Sequence, residues 1–585
     1  MNLTNFLKQT DAIAAQYSAE QLTSFIHEIG RILPECRRED FLERLKAIGG
    51  ATENGSLKEA EVEFHEKYEI IKDNLIQIDS QEIMIESILN EEYDDWYNNS
   101  CEEFYYVDKS GISDMLEEAC YFVHTCMDRE RYKEGYEIGI QLFLLEIFCE
   151  SEYGDENLSL RDMAYHELLQ YDLMQVVLDT AYCAYHAVPS HERPEVLYDV
   201  IANAETNDTT LEAIMQHGDE DLPDFPEFLT RWITYLGAIK SGDADRLILE
   251  AVGLLNDVSA AVRYAEEYAV SHPGLYLNIL ENETCTDADK MAAVGMEALN
   301  RIPKNYIMRS RVALKTAEYV IKADEKSSLL EECYFAAYES DTSALNYLRA
   351  LLNGYETIEK RRELRKVFMT IPKSGIGGWG SSERAENRPD QNMILLLRFL
   401  DGQFADVLAE GLNEPEALGW SGTFMKQGIA LYLLTLYEGQ WDGAGRGIRE
   451  MAARVRSTMK FSPEEYQKGT MGTYEWDDEN KNDLFYGIFS KWRSVVHMES
   501  DIRTRAIEKI AGLLEKRVEG IMGANRRNYY GECAAFLAAL GEVQESLGEA
   551  GAKQKLMTSY KDKYSRRNAF RAEMRAYGWI DVKRK

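Results

Sequence analysis

The chain is 585 residues long, beyond what one compact core holds, and 102 acidic against 65 basic side chains leave a net charge of −37. With 45% apolar and 29% charged residues and 11 prolines, it is a folded chain and not a disordered one. The charge argues against non-specific attachment to nucleic acid or to an anionic membrane.

The first residues, from Met1 to Gln16, lack a basic segment followed by an apolar core, so no secretory signal is expected. Tyr17–Gln21 places Ser18 three residues before Gln21, the spacing of a reciprocal helix cap. Helical stripes with a 3.6-residue period then follow in Leu22–Leu45, Ile112–Met127, Tyr132–Phe148, Met174–Ala187 and Leu247–Ala269. Further stripes lie in Val312–Ile321, Leu329–Tyr338, Ala344–Leu352, Met393–Leu408 and Ile507–Ile521. Ser462-Pro463-Glu464-Glu465 puts proline at a first helical position with acids facing the positive end of the dipole. The longest apolar runs, such as Gly428–Tyr437, reach only about half a membrane span.

Few segments alternate with the period of a strand, so the fold class expected is all-α. Three stretches, Ala261–Glu283, Ser328–Gly354 and Ile394–Gly422, share one plan: a helix with a small-residue face, a polar turn and a second apolar helix. The tetratricopeptide unit has this form. An α-solenoid of degenerate helix pairs is therefore expected, in one array or two. The organisation read from composition is N-terminal helices over 1–55, an acidic helical-repeat array over 56–370 and a Gly/Ser/Pro-rich connector over 371–392. A C-terminal array with a basic end then occupies 393–585.

Glu414–Gly422, the helix Arg526–Gly548 and the stretch Lys553–Trp579 together resemble the helical-repeat region of bacterial SWIM zinc-finger proteins and their relatives. Asp341–Leu352 is similar to repeat units of the same proteins. The resemblance implies a helical-repeat fold. The defining SWIM motif needs Cys-x-Cys followed by Cys-x-His, and no Cys-x-Cys occurs, so zinc-dependent DNA binding is not carried over.

Nine cysteines at irregular spacing suit reduced thiols in a cytoplasm. The densest Cys/His group is Cys120, His124 and Cys126, the candidate metal ligands. Cys120 and His124 share a helix face, but a closed zinc site needs two more ligands, and core packing is the favoured reading. Four His-Glu pairs lack the second histidine of a metalloprotease helix. Ser374–Ser382 has the glycines of a phosphate loop without its lysine, and no nucleophile elbow is present. No catalytic residue and no cofactor are expected.

Charge distribution carries the functional reading. Glu82–Asp162 holds 22 acids against five bases. Within it Asp94, Asp95, Trp96, Tyr97, Glu102, Glu103, Tyr105 and Tyr106 interleave acids with aromatics, which suits recognition of Arg and Lys. The end reverses the sign: Ala552–Lys585 has 11 bases and three acids. Lys561, Lys563, Arg566, Arg567, Arg571 and Arg575 there lie among aromatics, as in single-strand nucleic-acid binders. The expected function is a non-enzymatic scaffold in the cytoplasm that presents an acidic, aromatic-rich helical surface to a protein partner. The alternative is a nucleic-acid-associated protein acting through the basic end, beside a separately encoded DNA-acting partner.

Overall fold

The computed structural model describes residues 17–32, 38, 41–42, 56–89, 104–151, 154–204, 206, 208–218, 221–282, 287–323, 327–372, 382–413, 416–469 and 478–581. The chain is 69% helical, with 27 α-helices and one small four-stranded sheet among the described residues. It divides into two compact units, Met1–Asn256 and Asp257–Lys585.

In the first unit, helices α1 (Ala19–Ile32) and α2 (Ser56–Asp79) precede strands β1 (Ile85–Leu89) and β2 (Phe104–Val107). Next come α3 (Ile112–Asp128), α4 (Tyr132–Leu144), β3 (Ile147–Ser151), β4 (Glu156–Leu158), α5 (Leu160–Tyr165) and α6 (Leu173–Ala187). Four more helices close the unit: α7 (Arg193–Asn203), α8 (Leu211–Met215), α9 (Phe225–Gly237) and α10 (Gly242–Leu254).

Local chemistry sets the helix starts. The Ser18 and Gln21 side chains cap each other's backbone N–H groups at 3.3 and 2.8 Å, the reciprocal pair that their spacing predicts. Asp108 accepts from the N–H groups of Ile112 and Ser113 and so starts α3. Ser159 and Asp162 form a second reciprocal cap at α5.

The sheet is where the all-α expectation fails in part. Its strand order is β2-β1-β3-β4, with β1 parallel to β3 and both outer pairs antiparallel. A parallel pair needs a crossover, and α3 and α4 lie in the chain between β1 and β3. Ile85, Ile147, Cys149 and Leu158 point from the sheet into the core, which they share with Ile71, Leu75 and Ile78 of α2 and with Leu116, Cys120 and Val123 of α3. The stripe read over Tyr132–Phe148 is thus a helix ending at Leu144 followed by a strand.

Two other stripes are interrupted. Leu247–Ala269 breaks at Asn256, whose φ of 51° is left-handed; Asp257 then accepts from Ser259 N–H and starts a new helix, Val258–Glu267. Met393–Leu408 breaks at Gly402 into Gln391–Leu400 and Phe404–Glu410. The first break is also where the two units divide.

In the second unit, consecutive helices pack against one another from Ala288–Arg301 through Ile307–Lys322 and Ser327–Ser340 to Ala344–Leu352. Helix Tyr530–Ser546 is wrapped by neighbours and buries Cys533, Phe536, Leu537, Leu540 and Val543. Its small residues allow close approach. A Cβ on Gly447 of helix Arg446–Thr458 would stand 2.4 Å from Ala539 N, and one on Gly541 would stand 2.4 Å from Lys553 Cα. Glu542 fixes the first of these contacts by accepting from Gly447 and Ile448 N–H at 3.2 and 2.8 Å, while Lys553 Nζ reaches it at 2.6 Å.

Part of the connector expected over 371–392 is built into this unit. Asn387 N–H donates to Asn305 O, its side-chain amide bonds Glu339 O and Thr342 Oγ1, and Ala385 O accepts from Ile307 N–H. Residues 373–381 lie outside the described residues.

Candidate binding groove

A groove of about 850 Å³ opens between α2 and the start of α4. Helix periodicity explains its two sides. Phe64, Tyr68, Ile71 and Leu75 form the inward stripe of α2, while Glu61, Val62, His65 and Glu66 stand at its rim. Across the groove, Arg131, Lys133, Glu134 and Glu137 come from the first turns of α4 and the residue before it.

The floor is aromatic. Phe64 stacks on Phe122 with centroids 5.0 Å apart, and Tyr68 lies 6.2 Å from Phe122. Tyr68 Oη donates to Glu137 Oε2 at 2.5 Å; burial first, and this bond second, push the phenol well above its ordinary pKa. The guanidinium groups of Arg129 and Arg131 sit 5.9 and 5.6 Å from the Phe64 ring centre. Arg131 also pairs with Glu61, and Lys133 lies 3.8 Å from Glu137. That leaves Glu66 and Glu134 without an ion-pair partner among the described residues, so the groove carries uncompensated negative charge.

The expected surface lies close by in the chain. Asp94, Asp95, Trp96, Tyr97, Glu102 and Glu103 fall outside the described residues. Tyr105 and Tyr106 are on β2, at the edge of the sheet, and as neighbours in a strand they face opposite sides. Tyr105 is 57% exposed and pairs across the ladder with Ile88. Tyr106 packs on His166 with ring centres 4.3 Å apart and donates to Glu156 Oε1 at 3.1 Å; burial and that bond raise its pKa to about 12.

The cysteine and histidine candidates are all placed by α3. Cys120 and Cys126 are fully buried, and burial pushes both thiols far up, away from the thiolate that zinc requires. Their sulfurs and the His124 ring do not gather within 4.8 Å of one another. His124 instead belongs to a cluster that the spacing did not disclose, because its members come from three elements. Asp179 of α6, wholly buried, accepts from His124 Nδ1 at 3.1 Å, His217 Nε2 at 2.6 Å and Gln175 Nε2 at 3.1 Å. Burial alone would raise the Asp179 pKa, but the bonds from His124 and His217 outweigh it and hold the carboxyl below the ordinary range.

The basic end is largely occupied by its own unit. Lys563 pairs with Glu515 and Glu519, at 3.3 and 2.5 Å, and Lys561 with Asp562 at 3.0 Å. Arg567 donates to Asn525 Oδ1 and Met522 O, Arg571 to Asn568, and Arg575 pairs with Asp581 while lying over Trp579. Arg566 is exposed.

Comparison of the chain with protein-family models and with curated proteins returns no match. The groove and the charge pattern must therefore carry the functional reading by themselves. No described helix is long and apolar enough to cross a membrane.

Proposed function

We propose that the protein is a non-enzymatic interaction scaffold, built from helix pairs of the tetratricopeptide kind, whose N-terminal unit docks a Lys/Arg-bearing segment of a partner protein. The observation that carries this reading is the groove between α2 and α4, an aromatic floor rimmed by four glutamates of which two have no cationic partner among the described residues. A lysine or arginine entering it finds Val62 and ring edges for its stem and the carboxylates of Glu66 and Glu134 for its head. The acids of Glu82–Asp162 would steer such a partner from a distance. Binding of nucleic acid by the basic end is the less supported reading, because Lys563, Arg567, Arg571 and Arg575 already bond to groups of their own unit.

The test is fluorescence anisotropy with a labelled Lys/Arg-rich peptide and the full chain. Changing Glu66→Lys together with Glu134→Lys is expected to weaken binding about tenfold at low salt. The same charge change at the exposed Glu416 and Glu549 of the second unit should leave binding within about twofold, as a screened distant charge does. Equal losses in both variants would mean that bulk charge, and not the groove, attracts the peptide.

A further inference from the structure

The second unit holds a cleft of opposite electrical character. Helix Asp478–Val495, the turn Val496–Met498 and the start of helix Ser500–Gly523 enclose it against Thr435 and Glu438, leaving a volume of about 350 Å³. Arg493 from the first helix and Arg503 from the last converge on one carboxylate. Arg493 Nη2 lies 3.3 Å from Glu438 Oε2, and Arg503 bonds Glu438 Oε1. The other Arg493 terminal nitrogen donates to Tyr437 O at 2.7 Å.

One carboxylate balances only one of the two guanidinium groups. Burial, opposed by Glu438 and reinforced by the like charge of Arg503, holds the Arg493 pKa below its usual value. Arg503 Nε is buried with no hydrogen-bond partner among the described residues. His497, Ser490 and Ser494 complete the polar wall, and Glu438 is the only acid among the lining residues. In a chain of net charge −37, a cleft with surplus positive charge runs against the general field.

We propose that this cleft binds the oxyanion of a small molecule, a phosphate or carboxylate group, between Arg493 and Arg503. Guanidinium forks match the paired oxygens of both groups, and two forks from different helices can grip one anion from two sides. Glu438 is then an internal competitor that occupies the forks until the ligand arrives. Arg503, 36% exposed, has the freedom to turn from Glu438 to the ligand, while Arg493 stays anchored on Tyr437 O.

Isothermal titration of the full chain with inorganic phosphate, and separately with acetate, at matched ionic strength tests this. One-to-one binding with a Kd on the order of 1 mM or tighter is expected for at least one of them. Binding of phosphate alone identifies a phosphate site, and binding of acetate alone a carboxylate site. Arg503→Gln should weaken it about tenfold, and Glu438→Gln should tighten it by removing the competitor. Ser494→Asp, which places a second carboxylate on an exposed cleft residue, should abolish binding by competing for the same guanidinium groups. Absence of saturable binding for both anions, or full affinity in Arg503→Gln and Ser494→Asp, would overturn the proposal.

Discussion

Asp179 shows how one side chain ties three helical segments together. It is an anion out of contact with solvent, and three N–H donors from α3, α6 and the turn after α8 make that tolerable. Replacement by asparagine keeps the shape but removes the charge and turns an amide N–H₂ towards other donors. Asp179→Asn is expected to cost about 3 kcal/mol, read as lost hydrogen-exchange protection in Leu173–Ala187. The pH dependence follows from the direction of the shift. The folded pKa is depressed, so the contribution is present above the unfolded aspartate value of about 3.9 and is lost as pH falls through the folded pKa. Acid unfolding of the first unit should therefore begin below about pH 4 in the native chain, and this acid-dependent part should vanish in Asp179→Asn.

At the level of elements, glycines decide how close helices come. Gly447→Ala drives a Cβ into the backbone at Ala538 and Ala539, and Gly541→Ala drives one into Lys553 Cα. Backbone cannot give way as a side chain can, so each substitution is expected to destabilise the second unit by about 2–3 kcal/mol in urea unfolding. Gly512→Ala is the opposite case. It lies inside helix Ser500–Gly523 on the exposed side, with nothing within 4 Å of the added carbon, and should stabilise by about 0.5–1 kcal/mol. The crowding at Tyr530–Ser546 was legible in sequence, since Ala534, Ala535, Ala538, Ala539 and Gly541 announce close packing. The cap at Ser18 and the proline start at Pro463 were legible for the same local reason. The sheet was not: strands of three to five residues, such as Glu156–Leu158 and Ile147–Ser151, are too short to outweigh the helical period on either side. The groove was not legible: among the described residues, none of those expected to form the acidic, aromatic surface, Asp94 to Tyr106, lines it. Its walls, Glu61–Tyr68 and Arg131–Glu137, lie some 65 residues apart, and one sequence gives no measure of such pairings.

For the molecule as a whole, net charge sets two opposed responses to salt. Self-repulsion of 37 excess negative charges destabilises the compact state, and raising salt from 0.01 to 0.1 M shortens the screening length from about 30 to about 10 Å. Scanning calorimetry should record a rise of a few degrees in Tm over that range, while the same salt weakens capture of a basic peptide in the groove. A Tm that falls with added salt would mean that attractive ion pairs, such as Lys563 with Glu519 or Arg517 with Glu532, outweigh the repulsion.

The parallel pairing of β1 with β3 bears on the order in which the chain is made. β1 leaves the ribosome about 60 residues before its inner neighbour, a delay of about 3–12 s at ordinary synthesis rates of about 5–20 residues per second. During that interval β1 has only β2 to pair with, and the hydrophobic face of Ile85 has no sheet partner on its other side. Release of Ile147–Ser151 is the event that lets the first unit close its sheet. A nascent chain arrested before Phe148 should consequently remain sensitive to protease around Ile85–Leu89, and one arrested well beyond Leu158 should resist it.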